Sequence, residues 1–171
     1  MSSLPRYLLD SSVLIQAHRL YYRFTTCPGF WESVIWHCKQ GRIRSIDKVV
    51  EELAAGKDAL AHWANKTCPK PFFEKTTDQA IGATYGKLII WAHGKSQFTP
   101  AALSTFATVA DGWLVAYAHE HKYTLVTLEE PAPASQTEVK IPDVCRAHSV
   151  DYVNTFQMLE QLDISFEWTA P

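Results

Sequence analysis

The sequence predicts an α/β fold of three layers, with helices on both faces of a central, mostly parallel sheet. Three observations lead there. Short apolar runs, YLL at 7–9 and TLV at 124–126, alternate with longer segments whose apolar residues recur at helical spacing. Such alternation requires crossovers, which are right-handed and give a parallel sheet buried on both sides. The composition, 47% hydrophobic and 20% charged over 171 residues, suits one globular domain with a proper core.

The first strand ends at Asp10, followed by Ser11 and Ser12 and by a helical pattern over 13–24. A second amphipathic helix is predicted over 30–39, where Phe30, Val34 and Cys38 share a face. GRIRSIDKVVEELAAG then gives a strand over 42–45, a cap at Ser45 or Asp47 and a helix that stops at Gly56. A further helix over 57–66 precedes a short strand in CPKPFFE, and helices follow over 77–93 and 100–107, the latter with Pro in its first turn. Asp111 opens a helix carrying Trp113, Leu114 and Tyr117, and TLVT is the next buried strand. The Pro-rich stretch 129–142 reads as an exposed loop, Tyr152 and Val153 as a last strand, and 155–162 as a closing helix.

Sixteen Lys and Arg against eighteen Asp and Glu give a net charge of -2, so no strongly basic footprint announces nucleic acid. A site that gathers carboxylates around cations would make that formal count too negative. Cys27, Cys38, Cys68 and Cys145 form no C-x-x-C pair, which excludes a zinc ribbon or redox motif and implies reduced thiols. MSSLPRYLL lacks the charged and long apolar regions of a signal peptide, and no run reaches the ~18 apolar residues of a membrane span. The expected location is the cytoplasm.

The chemically suggestive residues are Asp10, Glu51 and Glu52, Asp111 and Glu129, each near a strand end or helix start on one sheet edge. In open α/β sheets that edge binds ligands. Carboxylates brought together in a partly dry site repel, so the cluster needs protons, basic partners or cations. Mg²⁺ and Mn²⁺ prefer carboxylate oxygen and water, and they suit phosphodiester hydrolysis. At 3.6 residues per turn, the centre of Val49, Val50 and Leu53 lies about 105° from Glu52 and about 155° from Glu51, which places Glu52 nearer the buried rim.

YLLDSSVLI, VVEEL and ADGWLVAYAHEHKYTLVTLEE, in this order and spacing, resemble the PIN-domain family of metal-dependent ribonucleases, which includes the VapC-type toxins of toxin–antitoxin pairs. KIPDVCRA and the Pro-rich loop before it are similar to one bacterial subgroup of PIN-like proteins. The resemblance spans 7–162 and implies an RNA-cleaving enzyme that leaves a 5′ phosphate and a 3′ hydroxyl. It implies Mg²⁺ or Mn²⁺ held by Asp10, Glu52, Asp111 and Glu129, with Ser12 and Thr127 as supporting hydrogen-bond partners. Glu129 stands where the family commonly has Asp, which leaves open whether Glu129 or Glu130 is the fourth acid. An antitoxin protein and a homodimer are the implied partners, with Trp- and Tyr-rich helices near the N-terminus available for the interface.

Simpler readings stand beside these. Asp111 alone is a favoured helix cap, and Glu129 or Glu130 before Pro131 a solvated loop charge. His119 and His121, two apart on a helix, do not share a face. RLYYRF at 19–24 reads as a packed amphipathic helix before an RNA-stacking surface, and the six tryptophans as mostly core or interface anchors. Lys140, Arg146 and His148 are candidate phosphate contacts. A PIN-fold scaffold without catalysis is the second functional reading. A haloacid-dehalogenase phosphatase requires a second Asp where Ser12 stands, and no glycine-rich dinucleotide turn follows the first strand.

Overall fold

The computed structural model describes residues 4–170. Among these, five parallel strands form one sheet: β1 (Tyr7–Leu9), β2 (Ile43–Ile46), β3 (Phe73–Glu74), β4 (Thr124–Val126) and β5 (Tyr152–Val153). Their order is β3-β2-β1-β4-β5. Tyr7 pairs with Ile43 on one side and Thr124 on the other, and Leu9 pairs with Val126. Tyr7, Leu8 and Leu9 are completely buried, as an apolar strand covered on both faces must be. The predicted three-layer α/β/α class is the observed one.

Helices α1 (Ser11–Gln16), α2 (Pro28–Lys39), α3 (Asp47–Ala55) and α4 (Ala59–His62) lie between β1 and β3. Both α1 and α4 run into π-helical turns, Ala17–Tyr21 and Trp63–Thr67. Then come α5 (Gln79–His93), α6 (Pro100–Thr108), α7 (Asp111–His121), α8 (Ile141–Ala147) and α9 (Thr155–Gln161). Side chains from the preceding loops cap several of them: Asp58 accepts from the Ala61 N–H, Thr99 from Ala102, and Asn154 forms a reciprocal capping box with Gln157.

One layer is closed by aromatic packing. Tyr22 stacks on Phe30 at 4.5 Å, Trp31 meets Phe30 edge-on, and Trp31 in turn meets Trp63 at 4.9 Å. The Trp31 Nε1–H donates to the Tyr22 carbonyl at 2.6 Å, but the helix expected over 13–24 ends at Tyr21, and RLYYRF packs through Tyr22 and Phe24 while Arg19, Leu20, Tyr21 and Arg23 are exposed. On the other side, Gly112 lets α7 approach α5: a Cβ there would stand 2.9 Å from the Tyr85 ring, which stacks on Trp113 at 3.9 Å.

The structure departs from expectation in several places. Ser45 is not a cap; it lies inside β2, fully buried, and its hydroxyl donates to the Leu9 carbonyl at 2.7 Å. Asp47 begins α3, and its carboxylate accepts from Thr76 Oγ1 at 2.8 Å, tying the helix to the end of β3. The stretch 129–142 is not simply an exposed loop. Val139, Ile141 and Pro142 are buried, because the chain turns inward to start α8 with Pro in its first turn. Among the tryptophans, Trp31 and Trp63 are core, whereas Trp36 and Trp168 are 56% and 81% exposed. All four cysteines are free thiols. No helix among the described residues is long and apolar enough to cross a membrane.

Candidate functional site

The order of strands locates the site. From β1 the chain crosses over to β2 on one side, while β4 lies on the other side of β1 and leads on to β5. The connections leaving β1 and β4 therefore diverge, and a crevice opens beyond their carboxyl ends. Asp10 follows β1 directly and Thr127 follows β4 directly.

The Asp10 N–H donates to the Val126 carbonyl at 3.0 Å, which extends the β1–β4 ladder by one residue and fixes the carboxylate at its end. Its side chain is buried. One oxygen, Oδ2, accepts from Ser12 Oγ at 2.6 Å and from Thr127 Oγ1 at 2.9 Å. The Leu128 N–H donates to Ser12 Oγ, and the Glu129 N–H to Thr127 Oγ1, so the two hydroxyls also bind the segment after β4. Burial pushes the Asp10 carboxyl above its ordinary range, against the opposing pull of these hydroxyl donors.

Asp111 stands first in α7, beside Ala110, which occupies the cap position. Its carboxyl is pushed up to about 8, chiefly by burial and then by the negative charges of Asp10, Glu129 and Glu52; Lys140 pulls the other way. Each of these three acids therefore lies near Asp111. Glu52 reaches from α3 to the start of α7, where its Oε1 accepts from the Ala110 N–H at 2.9 Å. Glu51 faces solvent and pairs with Lys48 at 3.5 Å, whereas Glu52 is half-buried and lines the crevice.

Glu129 is half-buried. Its Oε2 accepts from the Ile141 N–H at the start of α8 at 2.7 Å, and Lys140 Nζ lies 4.0 Å from its other oxygen. Burial raises this carboxyl as well. Glu130 is exposed, which leaves Glu129 as the acid facing the crevice. A pocket of about 260 Å³ is lined by Glu52, Asp111, Glu129 and Lys140, with Phe106 and Val139 among its apolar walls.

Among the described residues, no three carboxylate, imidazole or thiol groups are already arranged to hold a metal ion. The hydrogen bonds give the physical reason. Asp10 Oδ2 is turned onto two hydroxyls, Glu52 Oε1 onto the Ala110 N–H and Glu129 Oε2 onto the Ile141 N–H, so one oxygen of each carboxylate is already given to a protein donor. The histidines stay apart from this pocket: His119 bonds to Glu120 at 2.9 Å, and His121 packs on Tyr117. Of the three candidate phosphate contacts, Lys140 lines the acidic pocket, Arg146 lies on a neighbouring one, and His148 packs edge-on against Trp91.

A family model described as a domain of unknown function (DUF4411) matches residues 7–166. The chain belongs to the DUF4411 family. The DUF4411 match begins at β1 and ends beyond α9, so Asp10, Glu52, Asp111 and Glu129 all fall within it. No curated protein matches the sequence.

Sequence reasoning missed α8 and with it the tie between Glu129 and the Ile141 N–H. The signal was present in KIPDVCRA, where Pro142 and Asp143 occupy first-turn positions that suit a helix start.

Proposed function

We propose that this DUF4411 chain is a metal-dependent endoribonuclease that hydrolyses RNA phosphodiester bonds, as its resemblance to the PIN-domain family implies. One observation carries the reading: Glu52, Asp111 and Glu129, from three separate segments, line one pocket at the point where strand order reverses, with Asp10 at the adjoining end of β1 near enough to raise the Asp111 carboxyl and with Lys140 as the ammonium of the lining. With Glu138, which pairs with Lys140 at 2.7 Å, five carboxylates stand against one ammonium, and the excess negative charge and hard oxygen donors of a partly dry site fit Mg²⁺ or Mn²⁺. A bound divalent ion supplies Lewis acidity and neutralises charge on phosphate oxygens.

The chain's own groups divide the remaining work. Ser12 and Thr127 hold the Asp10 carboxylate in one orientation through its Oδ2 oxygen, and Ser11 Oγ donates to Oδ1 at 3.4 Å. Asp111 retains a proton near neutral pH while the acids stand alone, and yields it when a cation replaces that proton. Lys140 balances the charge of an entering phosphate. The resemblance to VapC-type toxins further supports an antitoxin protein and a second copy of the chain as partners.

One observation favours a second reading. The hydrogen bonds that Glu52 and Glu129 make to backbone N–H groups give these acids a structural use without any ion, as a binding scaffold of the same fold would need. The deciding experiment incubates metal-stripped protein with a pool of single-stranded RNA, with and without Mg²⁺ or Mn²⁺, beside a folded Asp10→Asn, Asp111→Asn variant. Cleavage that requires the ion and disappears in the variant establishes the nuclease. Absence of cleavage by the native protein with either ion overturns it in favour of the scaffold.

A further inference from the structure

A second pocket, of about 340 Å³, lies on the other side of the loop that carries Glu129. Trp91, Phe98 and Pro133 give it apolar walls, and Lys95, Arg146 and Asp143 bring charge to its rim. Asp143, Arg146 and Ala147 sit three and four residues apart on α8, so one face of that helix is turned to this pocket, while Lys140, just before the helix, lines the acidic one. The wall is built in advance. Gln97 Nε2 donates at 2.9 Å to the carbonyls of both Pro133 and Ser135, and Asp143 Oδ2 accepts from the Ala132 N–H at 2.9 Å.

We propose that this pocket holds an unpaired nucleotide of the RNA strand whose phosphodiester lies over the acidic cluster. The inference rests on the nuclease reading for the identity of the strand, and on its own residues for the contact. Lys95 Nζ lies over the Trp91 ring, 5.5 Å from its centre, and His148 meets the same ring in a T-shaped contact at 5.4 Å, so an entering base takes the face by displacing the flexible Lys95 side chain toward its phosphate. An aromatic face beside an ammonium is the arrangement that takes a base by stacking and its phosphate by charge. Among the described residues, neither Lys95 nor Arg146 is engaged in an ion pair; Lys95 lies over Trp91 and Arg146 lies 5.9 Å from the centre of the Tyr152 ring, cation–π contacts that a phosphate outcompetes by charge. The second oxygen of Asp143 is an acceptor suited to a ring N–H or amino group of the base.

The two pockets are one strand's reach apart. Ala132 is three residues from Glu129, at most about 11 Å even in extended chain. Asp143 is three residues from Lys140, about 5 Å along a helix. A nucleotide seated against Trp91 thus flanks the bond placed over Asp111.

The test measures binding of a fluorescein-labelled single-stranded RNA decamer in EDTA by anisotropy across a range of salt, so that no cleavage intervenes. Native protein binds. Lys95→Ala with Arg146→Ala weakens binding about tenfold or more and makes the slope of log K against log salt shallower by about 1.4, the value for two single-strand phosphates. Trp91→Leu, checked for folding by circular dichroism, weakens binding about tenfold without altering that slope. Asp10→Asn with Asp111→Asn still binds. Equal affinity of native protein and the Lys95, Arg146 variant overturns the proposal, as does failure of native protein to bind or competition by a 5′ mononucleotide as strong as by the decamer. If RNA binds through this pocket but is not cut with Mn²⁺, the pocket stands and the nuclease reading alone falls. If RNA is cut while the variant binds unchanged, the pocket alone falls.

Discussion

Replacing Asp111 by Asn should stabilise the metal-free protein at alkaline pH and leave it nearly unchanged in acid. The Asp111 carboxyl is shifted from the ordinary 3.8 to about 8 by burial and by its acidic neighbours. Between those values the folded chain holds a proton that the unfolded chain has released. The unfolded state then binds fewer protons, so stability falls as pH rises through this window. From pH 5 to pH 8 the change spans three units, about 4 kcal/mol at 1.36 kcal/mol per unit. Asn cannot ionise and removes that contribution, while Asp10 and Glu129, also raised by burial, leave a residual slope of the same sign. Urea denaturation in EDTA at pH 5, 6.5 and 8 measures it: the native midpoint should drop steadily, and the variant should exceed native by on the order of 4 kcal/mol at pH 8. Adding Mn²⁺ at pH 8 should close the gap from the native side. A native protein whose stability is flat or rises over this range, or a variant that follows the native slope, refutes the electrostatic account of the crevice.

Other substitutions probe the supports. Thr127→Val removes a buried hydroxyl from both Asp10 and the Glu129 N–H and should cost about 1–3 kcal/mol, read as a lowered urea midpoint. Gly112→Ala places a methyl 2.9 Å from the Tyr85 ring, which is held by its stack on Trp113 and its bond to the Ala107 carbonyl; a loss of about 1–3 kcal/mol in thermal unfolding is expected. Asn154→Ala breaks the capping box of α9 and should lower stability by about 1 kcal/mol without affecting the acidic crevice. Glu51→Gln, on the solvent side of α3, should leave both stability and any cleavage within error, whereas Glu52→Gln should reduce cleavage at least about tenfold in the RNA assay.

The parallel sheet was legible because β1 and β4 are buried on both faces, which turns them into unbroken apolar runs that no exposed segment mimics. Asp10 was legible for the same reason, as the first charge after such a run. Glu52 followed from helical geometry, since three apolar neighbours define the face it borders. Ser45 misled because a serine before a helical pattern is locally a good cap, and only the pairing of β1 with β2 gives its hydroxyl the Leu9 carbonyl instead. The stretch 129–142 misled because its prolines mark a loop locally, while the burial of Val139 and Ile141 depends on contacts with distant parts of the chain. How the carboxylates divide their hydrogen bonds was likewise invisible, because the Ala110 and Ile141 N–H groups come from segments remote from Glu52 in sequence or folded back onto Glu129.

The outermost strands, β3 and β5, are only two residues long. So short an edge presents few unpaired backbone groups, and it offers no template on which a strand from another molecule can propagate. Growth of the sheet from chain to chain, the route to fibrils and to exchanged strands, is thereby discouraged at both ends. The apolar surface left open lies on helices instead, where Tyr21 packs edge-on against Phe156 and both stand exposed with Leu20.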